Sequence, residues 1–393
     1  MNLNNSVHTP KQVIIHTGFP KTASSSIQHS LVHNRNLLET HGFYYPDFIV
    51  EGKEFFNRSI PLSGYYMEHP ETFKQYWLHN QISHQKVNGL IQNFLEQEIH
   101  QYNKLIFSDE FISALNRRSL GKLKRDFEAM GYGIRVISYV REPCNLLVSS
   151  VQQRSRTTNI NKSLRNINTK ASVISIRCLK RIFGGNAEFY CFEKICQHEN
   201  GPVGFFFDLL QIKLTGDGIL KVNEGMSNQA SRLSSFINQN IPLYISKTQI
   251  NPRRSRFDLS QIHKIRGDKF GLTSREAKKM MPKIDRARSG ISDQLGKEFL
   301  PEREITFIPE QIVWNEKQLD DLINLSESLD LHILSIVYKY LLGLDDTSGV
   351  DCPEKAEQFY EIARARLHDH KVKGKDTITD KLRNFVSARL KAN

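Results

Sequence analysis

Cysteine is scarce and unpatterned in this 393-residue chain. The five cysteines, Cys144, Cys178, Cys191, Cys196 and Cys352, contain no Cys-x-x-Cys pair and are odd in number. A disulfide framework and a thiolate zinc site are both excluded as organising principles. No run of about 18 apolar residues occurs, so no bilayer-spanning helix is expected. The first residues show no apolar core of a signal peptide, and a reduced, cytoplasmic setting is the expectation. The glycine pattern Gly-x-x-x-x-Gly-Lys-Ser/Thr is also missing, because Gly18 precedes Lys21 by three residues with no earlier glycine partner. Internal repeats and low-complexity segments are absent.

Acidic residues are missing locally. Between Val151 and Ala187 there are eight Lys or Arg and no Asp or Glu, and Pro252 to Arg288 holds twelve Lys or Arg against four acids. The net charge of +12 is therefore concentrated, which points to an anionic partner: a nucleic acid, an anionic glycan or a phosphorylated cofactor. No nucleic-acid recognition motif accompanies the charge, so nucleic acid is not expected. With 39% hydrophobic and 24% charged residues, the composition is that of an ordinary globular protein long enough for one large domain and an addition.

The richest stretch runs from Val13 to Gln28. A β-branched run ends near Thr17, Pro20 bends the chain, and Lys21, Thr22, Ala23, Ser24, Ser25 and Ser26 open a helix. Free N–H groups at such a helix mouth, a lysine charge and short hydroxyl donors make a cradle for phosphate or sulfate. A second corner follows the strand Arg135–Val140. Arg141 stands at the strand end, Pro143 at a first helical position, and Ser149 eight residues beyond the arginine, about two helical turns on. A guanidinium fork suits a phosphate dianion.

Together the two motifs resemble the sulfotransferases that use 3′-phosphoadenosine 5′-phosphosulfate (PAPS). In that family a Pro-Lys-Ser/Thr-Gly-Thr-Thr-like loop binds the 5′-phosphosulfate, and a strand-end Arg with a Ser eight residues later binds the 3′-phosphate. Pro20-Lys21-Thr22-Ala23-Ser24-Ser25 is similar to the loop, and Arg141 with Ser149 to the second motif. The resemblance spans residues 12–240, and Asn34-Arg35 with Gly42–Pro46 looks like bacterial, carbohydrate-directed members. The departure is Ala23, where the family usually has Gly; a positive φ there would be strained.

Strands are expected at 12–17, 104–108, 134–140 and 188–192. Helices are expected at 23–38, 85–101, 119–130, 143–154, 203–212, 228–238, 315–342, 353–369 and 376–391. This alternation implies an α/β fold, a parallel sheet with helices on both faces and helical C-terminal additions, with ligands at the carboxyl ends of the strands. The resemblance makes this a P-loop-like sulfotransferase fold. Three regions are expected: residues 1–240 as the PAPS-binding core, 241–310 as a basic lid or substrate-facing insertion, and 311–393 as a helical region. The last helical pattern would suit packing on the body, a second subunit, or an anionic membrane face.

Sulfuryl transfer builds charge on the bridging oxygen, which Lys21 would stabilise, and an acceptor hydroxyl calls for a general base. Strand 104–108 runs into Asp109 and Glu110, putting two carboxylates at the ligand edge. Related enzymes carry His or Glu there or on the strand after the loop helix, where this chain has Phe43-Tyr44-Tyr45. Glu110 is therefore the leading base, with Asp109 and then His41 behind it. Otherwise Asp109 caps the next turn and Glu110 is solvated. Arg154 and Arg156 end the following helix, and either reach an anion or solvate the helix end. Phe55, Phe56, Tyr65, Tyr66 and Trp77 line an acceptor cleft or belong to the core. His29 and His33, four apart, are weak as metal ligands, and the chemistry requires no metal.

The expectation is transfer of the sulfuryl group of PAPS to a hydroxyl or amine of a glycan, glycolipid or related acceptor, leaving adenosine 3′,5′-bisphosphate. Two alternatives stand beside it: a P-loop-type kinase, and a non-catalytic basic protein that binds polyanions.

Overall fold

Four β-branched or aromatic runs form the strands expected of them. The computed structural model describes residues 10–50, 53–54, 61–70, 83–222, 225–246, 249–254, 256–302, 306–345 and 349–373. Its main sheet holds β1 (Gln12–His16), β2 (Phe43–Tyr44), β3 (Lys104–Ser108), β4 (Gly133–Val140) and β5 (Ala187–Cys191). All pairings are parallel and the spatial order is β2-β3-β1-β4-β5. Ile14 of β1 lies between Ile106 and Arg135 in register.

Alternation divides the strand side chains between two cores. Val13, Ile15, Leu105, Phe107, Val136 and Val140 enter one cluster, while Ile14, Ile106, Ile137 and Tyr139 enter the other. A sheet buried on both faces needs helices on both, as parallel sheets do. On the second face lie α1 (Ser24–His33) and α2 (Arg35–Thr40), through Ile27, Leu31 and Leu38. A short helix α3 (Pro61–Tyr66) then leads to α4 (His84–Asn93) on the first face. The first face continues with α5 (Arg117–Ala129), whose Leu120, Leu123 and Phe127 recur at helical spacing behind an Asn116 cap. After α6 (Pro143–Ser155) comes α7 (Ala171–Phe183) on the first face, then α8 (Gly201–Leu209) on the second. Helix α7 was not expected from the sequence: Arg177, Lys180 and Arg181 dilute the stripe of Ile176, Leu179 and Phe183 that it buries.

The chain forms two compact units: residues 1–150, 168–224 and 280–305, and residues 151–167, 225–279 and 306–393. These divisions do not follow the expected three regions. The segment expected as a basic lid is shared between them. Residues 281–295 form α9 of the first unit, which buries Ile284, Ala287 and Ile291. The second unit is helical. Asn228–Asn240, Glu316–Ser326, Leu331–Asp345 and Pro353–Lys373 pack a core around the fully buried Trp314. The expected helix 315–342 is two helices, because Asp330 starts a new one: its carbonyl accepts from Leu334 N–H. The expected helix 376–391 lies outside the described residues. Among the described residues, no helix is long and apolar enough to cross a membrane.

Candidate anion and catalytic site

The ends of β1, β3 and β4 (His16, Ser108 and Val140) define one edge of the sheet, and the expected loop lies there. Thr17 N–H donates to the Ile137 carbonyl at 3.0 Å, and the Thr17 and Ser138 hydroxyls share a 2.7 Å hydrogen bond. A side chain at Gly18 would force Ser24 to shift, since a Cβ there would lie 2.2 Å from Ser24 Oγ. Thr22 donates its hydroxyl to the Phe19 carbonyl, closing the turn. Lys21 and Ala23 both have positive φ, 65° and 62°. Left-handed residues in such a turn gather backbone N–H groups into an anion-binding concavity. Ala23 is also the N-cap of α1 and offers no side-chain cap to the first-turn N–H groups. Ser24 Oγ is buried without a partner, and Ser25 is half-buried.

Ser26 also holds a neighbouring segment. Its hydroxyl accepts from Val222 N–H at 3.2 Å, Ser30 Oγ accepts from Leu220 N–H at 3.0 Å, and Asn34 Nδ2 donates to the Gly218 carbonyl at 2.8 Å. One face of α1 thus holds the backbone of residues 218–222. Ser26 serves this strap through its hydroxyl.

Arg141 reaches from the end of β4 to the loop. Its Nη1 donates to the Lys21 carbonyl at 2.9 Å, and its guanidinium lies 5.3 Å from the centre of the Phe192 ring. Glu193 Oε1 stands 3.9 Å from Arg141 Nε, which is buried and has no hydrogen-bond partner. Burial pulls the guanidinium below its ordinary value, and Glu193 opposes the shift. The corner behind it is rigid: the buried Glu142 carboxylate accepts from Arg288 Nη1 at 2.6 Å and from Asn145 N–H at 2.9 Å. Ser149 is half-buried within α6.

The two carboxylates after β3 differ. Asp109 is buried and caps the turn that follows, accepting from Phe111 N–H at 2.9 Å and Ser63 N–H at 2.7 Å. Burial pushes its carboxyl up to about 8 against the pull of those N–H groups. Glu110 is half-buried. Its Cα stands 3.4 Å from where a Gly18 Cβ would be, beside the loop. Burial raises its pKa and the Lys21 charge opposes the rise, so the two groups sense each other. His41 is not brought to this edge. Phe43 pairs with Lys104, the first residue of β3, so His41 lies at the opposite end of the sheet. It is exposed and donates from Nδ1 to the Leu37 carbonyl.

Sequence reasoning missed His16, Glu193 and Arg288. His16 is wholly buried, hydrogen-bonded through Nδ1 to Ser108 Oγ at 2.8 Å, and its Nε2 has no partner. The signal for His16 and Glu193 was position, at or just past the carboxyl end of a strand. Of the aromatic candidates, Tyr66 is core and Tyr65 packs against it, with Lys122 over both rings. Phe55, Phe56 and Trp77 lie outside the described residues. Among the described residues, no group of three or more His, Cys, Asp or Glu could hold a metal ion.

No protein-family model and no curated protein matches the chain. Two solved structures are similar to it. The sulfotransferase from Alicyclobacillus acidocaldarius shares 15% identity over 59% of this chain and 93% of its own, with a TM-score of 0.34. The sulfotransferase domain from the curacin biosynthetic pathway shares 13% identity over 53% of this chain and 76% of its own, with a TM-score of 0.30.

Proposed function

We propose that this protein is a PAPS-dependent sulfotransferase that modifies a hydroxyl or amine of a glycan, glycolipid or related acceptor. The observation that carries the reading is the convergence of Lys21, Arg141 and Glu110 on one loop. PAPS supplies, when bound, a sulfuryl group on a phosphate leaving group. The residues present fit it: an uncapped helix mouth, a buried Ser24 hydroxyl and a buried Arg141 Nε all lack partners. The loop N–H groups, Lys21, Ser24 and Ser25 would hold the 5′ end, and Arg141 and Ser149 the 3′-phosphate.

Glu110 takes the proton of the acceptor hydroxyl as the acceptor oxygen bonds to sulfur. Lys21 neutralises the charge left on the bridging oxygen as the old S–O bond breaks. Burial of Glu110 makes it a stronger base than an exposed carboxylate. Asp109, which accepts from the Ser63 and Phe111 N–H groups, positions the turn that carries Glu110. The test is incubation with PAPS and a panel of polyhydroxylated and amino acceptors, reading acceptor-dependent release of adenosine 3′,5′-bisphosphate. Release without Mg²⁺, strongly reduced but measurable in Lys21→Met, is expected. Release indifferent to every acceptor and to that substitution would oppose the reading.

A further inference from the structure

The carboxyl ends of β1 and β3 lie in register, His16 opposite Ser108. Shortly beyond them stand Gly18 of the anion loop and Glu110, whose Cα is 3.4 Å from where a Gly18 Cβ would be. Hydrogen bonds close this junction. Asp109 N–H donates to the His16 carbonyl at 2.9 Å, which continues the parallel ladder. His16 Nδ1 and Ser108 Oγ share a 2.8 Å hydrogen bond, and Gln28 Nε2 donates to the Ser108 carbonyl at 3.0 Å. The proposed reaction leaves both of these side chains, His16 and Gln28, without a role.

Neither side chain reaches solvent: His16 is wholly buried and Gln28 is 2% exposed. Polar groups buried this deeply are costly unless hydrogen-bonded, so each must be judged by what it holds. The His16 ring is fixed by edge contacts with Tyr139 and Phe206, at 5.5 and 5.3 Å between ring centres. Burial keeps the imidazole neutral, its pKa lowered to about 3. Wholly enclosed, it meets no acceptor, and its influence on the site passes through Ser108.

Gln28 belongs to α1, the helix whose first turn opens the anion site. Strand β2 pairs only with Lys104 and Leu105 and stops short of Ser108. Gln28 supplies the donor that β2 does not bring to the Ser108 carbonyl. We propose that His16 and Gln28 are positioning residues: they clamp Ser108 from the loop strand and the loop helix, and so hold Glu110 against Lys21. The inference rests on Glu110 being the base of the proposed sulfuryl transfer. Asp109 fixes the turn ahead of Glu110, through Phe111 and Ser63, and the clamp fixes the strand behind it. A reacting group misplaced by about 1 Å can cost about a hundredfold in rate, so the register of this turn matters to the chemistry.

The test uses the full chain, PAPS and whichever acceptor the parent turns over fastest. Gln28→Leu removes the amide at similar volume, and His16→Leu removes the ring nitrogens. In both, kcat should fall about tenfold to a hundredfold while affinity for adenosine 3′,5′-bisphosphate stays within about twofold of the parent. His16→Asn keeps a nitrogen at the δ position and should recover part of the lost rate. A double variant shows whether the effect passes through the base. Gln28→Leu added to Glu110→Gln should leave the residual rate of Glu110→Gln unchanged. Parental kcat in both leucine variants, bisphosphate affinity falling in step with kcat, or a further loss in the double variant overturns the inference and leaves the sulfotransferase reading standing. A parent that releases no bisphosphate with any acceptor overturns both.

Discussion

Arg141 donates a 2.9 Å hydrogen bond to the carbonyl of Lys21 across 120 residues of sequence. The residue proposed for the 3′-phosphate therefore also braces the loop proposed for the 5′ end. Replacing Arg141 by Lys keeps the charge but loses the fork. Affinity for adenosine 3′,5′-bisphosphate should drop about tenfold to a hundredfold, the cost of losing charge-assisted hydrogen bonds. Affinity for AMP, measured in parallel, should fall much less. Equal losses for both nucleotides would assign Arg141 to the loop alone.

Glu110→Gln should lower turnover strongly and leave bisphosphate affinity near that of the parent. The pH profile carries the sign. Glu110 acts as a base only when ionised, and burial raises its pKa, so the rate should fall with acidification from above the ordinary glutamate range. Removing the Lys21 charge removes the opposing pull, so Lys21→Met should move the acid limb of the residual rate to higher pH. A limb at the ordinary glutamate position in both proteins would argue against Glu110 as base.

Ala23 is strained where Gly would not be. Its φ of 62° costs an alanine about 1–2 kcal/mol, partly offset by the entropy that glycine loses on folding. Ala23→Gly should raise the unfolding midpoint slightly and keep nucleotide binding. Gly18→Ala should do the reverse, because its Cβ would displace the Ser24 side chain 2.2 Å away. Denaturant melts with bisphosphate titrations check both.

His16 should make the first unit acid-sensitive. Burial lowers its pKa from 6.5 to about 3, so the unfolded chain binds the proton that the folded chain refuses. The stability it preserves is complete above about 6.5 and is lost as pH falls toward about 3. The slope is about 1.4 kcal/mol per pH unit for one proton. Urea melts across that window should show a shallower decline in His16→Gln.

The sheet was legible because its strands are apolar on both faces: Val13, Ile14 and Ile15, or Val136 and Ile137, could hardly be exposed. The turn from Thr17 to Ser24 between strand and helix was legible from residue type and order, while its backbone conformation was not. Whether Ala23 has positive φ depends on how the loop folds back over Gly18 and Ser24. Ser26 looked like one more hydroxyl donor, and only packing shows it engaged with Val222 N–H. Helix α7 and the buried face of α9 were hidden by basic residues on their solvent sides. The support of Arg141 by Glu193, and of Glu142 by Arg288, joins residues 52 and 146 positions apart, beyond the reach of local spacing.

The most direct measurement is calorimetric titration of the full chain with adenosine 3′,5′-bisphosphate, ATP and AMP at moderate salt without Mg²⁺. A site built on Lys21 and Arg141 for PAPS should bind the bisphosphate well above both other nucleotides, and Arg141→Ala should erase the difference. Equal binding of all three, or preference for ATP, would contradict the sulfotransferase reading and favour a generic anion site or a kinase.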